Sequence, residues 1–177
     1  MGINATLLSR LTSLLTFPGI ILHEWSHKFF CDRLSVPVQK VCYFRLGDPP
    51  GYIIHDKVDN LGKMFLIAVA PFLINTAFAF TIFVLALKMP WRTGVYFALC
   101  WLGISAAMHS PPSTQDIENL YLDARRSQGH SILVLLSLPI IWLLKLLRFR
   151  DMVWVGLLYA IFILILTAFL VDGSTSS

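Results

Sequence analysis

Ile20-Ile21-Leu22-His23-Glu24-Trp25-Ser26-His27-Lys28-Phe29-Phe30 sets two imidazoles and a carboxylate inside an otherwise apolar run. On a helix, His23 and His27 lie one turn apart on the same face, so both rings can reach a single metal ion. Glu24 stands beside them, where it can take a proton from a water on that metal. This His-Glu-x-x-His pattern is the arrangement in which zinc acidifies a water and an adjacent carboxylate completes a hydrolytic site. Intramembrane ionisable groups cost about 2.5–3.5 kcal/mol on insertion scales and mark functional sites by default. The bland reading of the same string is a helix end at the interface, with both histidines facing water.

The surroundings of this string argue for a membrane protein. Of 177 residues, 56% are hydrophobic and 14% charged, with a mean hydropathy of +0.71. Soluble domains carry about 45–50% apolar and about 25% charged residues. Aromatic residues make up 13% of the chain and no low-complexity tract occurs, which excludes disorder. The net charge of +4 is spread without a basic stripe, so nucleic acid is not an expected partner. Cys31, Cys42 and Cys100 have no Cys-x-x-Cys spacing, which points away from both a disulfide framework and a thiolate metal site.

Five apolar stretches are expected to be membrane-spanning helices: about Ala5 to Phe30, Leu61 to Leu87, Gly94 to His109, Ser131 to Leu147 and Met152 to Val171. The first has no Lys or Arg before Arg10 and no small-residue cleavage site after Leu22, and is read as mature chain rather than signal peptide. Residues 32–60 hold two β-prone runs around Gly47-Asp48-Pro49-Pro50-Gly51, which predicts a hairpin over Val41–Asp56. After the third span, Pro111 and Pro112 introduce a short polar helix. The expected fold class is an all-α polytopic membrane protein, residues 1–177 forming one membrane-embedded domain. Its catalytic core covers about 5–125, and two further helices occupy 131–171. With the N-terminus outside, Lys28, Arg33, Lys40, Arg45, Lys57, Lys63, Arg125 and Arg126 fall on the cytoplasmic side, while Lys145, Arg148 and Arg150 oppose that orientation.

A catalytic zinc takes three protein ligands and keeps one position open. The first and third spans run in the same direction, so their C-terminal ends share a membrane face. The third ends in Ala107-Met108-His109-Ser110-Pro111-Pro112-Ser113-Thr114-Gln115-Asp116-Ile117-Glu118, which brings three candidate ligands to the depth of His23 and His27. Asp116 is favoured. His109 would make a three-histidine site or serve as a positioning group, and Glu118 would make a two-His-one-Glu site. His55 and His130 fall in polar loops and are read as surface residues.

A His-Glu-x-x-His helix, a hairpin before the second span and a proline-containing segment ending in Asp after the third resemble the site-2 protease family of intramembrane zinc metalloproteases. The resemblance covers roughly residues 10–125. It implies one zinc per chain, held by His23, His27 and Asp116, with Glu24 as the catalytic acid/base. It also implies a transmembrane protein or peptide as substrate, cut near the cytoplasmic face within the lipid bilayer. The chain departs from the family pattern in three places. No Leu precedes Asp116 and no Gly follows it, His109 stands near the position of the family's Asn, and Ala70-Pro71-Phe72-Leu73-Ile74-Asn75 is one residue longer than the usual Gly-Pro-x-x-Asn.

Rival classes are less well served by these residues. A metal transporter needs a second set of polar residues along a path, and the later helices offer little beyond Asn75, Thr76 and Thr81. A di-iron oxygenase needs more than the five histidines present. A non-catalytic zinc-binding scaffold would not require Glu24, and a prenyl-protein protease would require Glu118 as ligand.

Overall fold

The computed structural model describes residues 2–58, 60–126 and 152–175. Helix α1 (Gly2–Leu15) leads into α2 (Phe17–Arg33), strands β1 (Val38–Cys42) and β2 (Tyr52–His55) follow, and α3 (Leu61–Leu87) and α4 (Gly94–Met108) form a helical pair. A short α5 (Thr114–Arg126) and a final α6 (Met152–Thr175) complete the described elements. Among the described residues two helices, α3 and α6, are long and apolar enough to cross a membrane, and the apolar α4 is shorter. At 1.5 Å per residue, α4 extends about 22 Å, short of a hydrocarbon core of about 30 Å. The span expected at 131–147 and the loop residue His130 lie outside the described residues.

The first apolar stretch is not one helix. It breaks at Thr16, because Pro18 sits in the first turn of α2, where a missing N–H costs nothing. The carbonyls at this junction are met by α4. Trp101 Nε1 donates to Leu15 O (2.7 Å), and Ser105 Oγ donates to Thr16 O (2.9 Å) while accepting from Gly19 N (2.8 Å). His109 completes a four-residue spacing along α4, with its Nε2 2.8 Å from Thr16 Oγ1. A Cβ on Gly19 would stand 2.0 Å from Ser105 O, so only glycine permits this approach of α2 to α4.

Two apolar clusters hold the elements in place. Ala79, Phe83, Ala106, Ala107, Ala160 and Ile163 join α3, α4 and α6 through mostly small side chains, as close helix packing in a lipid-like environment requires. A hydrogen bond between Thr76 and Tyr159 (2.9 Å) pins α6 to α3. In the second cluster, Cys31, Val36, Val58, Met64, Ile67 and Ala68 receive Ile117 and Leu120 of α5. Burial of these two side chains, about 1.5–3 kcal/mol each, ties a helix with a polar opposite face chiefly to the start of α3.

The hairpin begins earlier than expected from its sequence. Its strands are antiparallel, with Val41 opposite Ile53 and Cys42 opposite Tyr52, and the register slips between Val38 and Lys40. The Pro- and Gly-rich segment does not form a tight turn, and lies as a longer loop over residues 43–51.

Candidate metal centre

His23, Glu24 and His27 are buried on the face of α2 turned toward α3, α4 and α5. One ring nitrogen of each histidine is committed to a backbone carbonyl. His23 Nδ1 donates to His109 O (2.7 Å), and His27 Nδ1 donates to Ile67 O (2.9 Å). A carbonyl can only accept, so these contacts place the proton on Nδ1 and turn both Nε2 lone pairs inward.

Those two nitrogens lie 3.2 Å apart. Asp116 meets them from α5, with Oδ1 3.2 Å from His27 Nε2 and Oδ2 3.5 Å from His23 Nε2. The ligand atoms of the three residues all fall within 4.8 Å of one another. Two lone pairs and a carboxylate this close repel unless a positive species sits among them, whether protons on the rings or a metal cation. The donor set of two imidazoles and one carboxylate suits zinc, and carbonyl partners on the outer nitrogens are the usual support for histidine ligands.

Local sequence explains the position of Asp116. Ser113 caps α5: Asp116 N donates to Ser113 Oγ (3.2 Å) and Ser113 N donates to Asp116 Oδ2 (2.7 Å), a reciprocal capping box. Burial alone would raise the Asp116 carboxyl. When the rings carry a second proton on Nε2, the charge of His27 and hydrogen bonds from both imidazoles override that and hold it well below the usual carboxylate range.

His109, the alternative third ligand, is not brought to this group. Its ring turns to Thr16, and its backbone carbonyl, rather than its imidazole, serves the site by holding His23. Glu118 is exposed on α5 and stands outside the trio. His55 lies in β2 with Nδ1 donating to Asp56 O (2.8 Å). Trp25 is half-exposed on the opposite side of α2 and stacks on Phe29.

The structure adds residues whose part the sequence did not disclose. Asn75 is fully buried where α2, α3 and α4 meet. Its Nδ2 lies within reach of Gly19 O (3.3 Å), Ala106 O (3.4 Å) and His109 O (3.2 Å), and its Oδ1 accepts from Ser26 Oγ (3.3 Å). The carbonyl that orients His23 is thus itself held by Asn75. Gly51 packs on the candidate base: a Cβ there would lie 2.7 Å from Glu24 Cγ and 2.9 Å from its Oε1. Among the described residues the Glu24 carboxylate accepts no hydrogen bond, and it faces a cavity of about 1090 Å³. That cavity lies between α1, α2, the hairpin loop, α5 and the start of α6.

No protein-family model, curated protein or solved structure matches the chain.

Proposed function

We propose that the chain is a multi-pass membrane protein with a zinc-dependent hydrolytic site buried among its helices. Within that class, it acts as an intramembrane metalloendopeptidase of the site-2 protease kind, cutting a peptide bond in or near a transmembrane segment of another protein. In this reading α2 and α4 take their place among five spans, and the active site lies nearer the cytoplasmic face. The observation that carries the proposal is the convergence of His23 Nε2, His27 Nε2 and the Asp116 carboxylate, both outer ring nitrogens being occupied, with Glu24 beside them and without a hydrogen-bond donor among the described residues.

Zinc held by these three residues would supply Lewis acidity toward a carbonyl and a water acidic enough to ionise near neutrality. Glu24 then has two tasks that its unbonded carboxylate suits. It accepts a proton from the attacking water, and it returns that proton to the amide nitrogen as the peptide bond breaks. Hydrolysis requires a locally extended chain, because the carbonyls of an intact helix are bonded and packed, and the cavity beside Glu24 is where such a chain would lie. Among the described residues the hairpin has two strands, and pairing of a substrate with one of their outer edges would hold it locally unwound.

The test is cleavage of a tagged transmembrane substrate in proteoliposomes by wild type and Glu24→Gln. The variant keeps the shape and the metal but has no base, so turnover is expected to vanish while zinc content stays the same. Normal cleavage by Glu24→Gln would overturn the hydrolase reading.

A further inference from the structure

The two histidines are held by backbone carbonyls, and the two carbonyls are available for different reasons. His109 follows the last residue of α4, and Pro111 and Pro112 lie just beyond, so its carbonyl has no helical donor to serve. Ile67 is different, because it lies well inside α3, which runs on to Leu87. In an α-helix the carbonyl of residue i−4 takes the N–H of residue i, so the partner owed to Ile67 is residue 71. That residue is Pro71, fully buried, and proline has no N–H to give. His27 Nδ1 donates into the gap at 2.9 Å.

We propose that Pro71 is a positioning residue for the metal centre: by withholding a backbone donor it frees the Ile67 carbonyl, which fixes His27 with its proton on Nδ1 and Nε2 toward the metal. The inference builds on the metal-centre reading and assigns the proline a role beyond the missing hydrogen bond within α3. Alanine at 71 would supply an N–H that competes with His27 for the Ile67 carbonyl, while helix α3 gains a hydrogen bond. Local helix stability and metal binding should therefore move in opposite directions, which a purely structural proline would not produce.

The experiment compares wild type, Pro71→Ala and the ester analogue of Pro71→Ala, in which lactic acid replaces the alanine and no N–H is present. Zinc affinity is measured in detergent by chelator competition, and the imidazole tautomers are read by nitrogen NMR of the zinc-free protein. Pro71→Ala is expected to lose on the order of 10-fold in zinc affinity, as outer partners of metal ligands do. The His27 nitrogen signals should shift while those of His23 stay in place, and the ester analogue should recover wild-type values. An unchanged His27 tautomer in Pro71→Ala overturns the proposal, and so does an ester analogue as impaired as the alanine variant. A wild type that takes up no zinc would overturn the metal centre instead, leaving the tautomer comparison to judge Pro71 by itself.

Discussion

The half of the candidate site that gathers the proposed metal ligands and the half that holds the proposed base are built differently. Around His23, His27 and Asp116, each side chain is tied by one hydrogen bond to a helix end, a helix interior or a cap. Around Glu24, the constraint is steric: the carboxylate rests against Gly51 of the hairpin loop and faces the cavity. Ligands must keep one geometry whether or not substrate is present, and hydrogen bonds to buried backbone provide that. A base has to change protonation state twice in a cycle, and a strong fixed donor would favour only one of those states.

Variants can separate the two halves. Gly51→Ala brings a methyl group into the space of the Glu24 side chain, so the carboxylate must move. A misplacement of about 1 Å can cost on the order of 100-fold in rate. Proteoliposome cleavage by Gly51→Ala is expected to fall by roughly that factor with zinc content unchanged. A loss of zinc in this variant would mean that the loop supports the ligands as well, and the division would fail. His109→Ala should have the smallest effect. It deletes the bond to Thr16 but keeps the backbone carbonyl that holds His23. Thermal unfolding should show a loss of about 0.5–1.5 kcal/mol, with zinc binding retained. Loss of zinc from a stably folded His109→Ala would transfer ligand duty to the imidazole.

Much of the frame is legible in the sequence, because helices such as α3, α4 and α6 are marked by continuous apolar composition and the hairpin by β-prone runs around Pro and Gly. The pairing of His23 with His27 follows from helical spacing alone. Direction along the chain places the region after α4 at the same end, but not which residue turns inward. His109 and Asp116 are both metal-binding types, and the choice between them is made by tertiary detail. Ile117 and Leu120 bury one face of α5, and Ser113 caps it so that Asp116 points to the histidines. The Ser-x-x-Asp spacing was the available signal for that cap. The break at Thr16 has a local signal in Pro18, but the donors that satisfy its carbonyls come from α4, far along the chain. Gly51 carries no local signal at all, and Asn75 only that of a polar residue in an apolar helix, because the importance of both is a contact with a distant element.

Bound metal is the most direct measure of the central claim. Wild type and Asp116→Ala, purified in detergent after zinc has been offered and excess removed, would be assayed for zinc per folded chain. About one zinc in wild type and none retained in Asp116→Ala is the expected result. Folded wild type that holds no zinc, or Asp116→Ala that holds as much as wild type, would contradict the metal centre described.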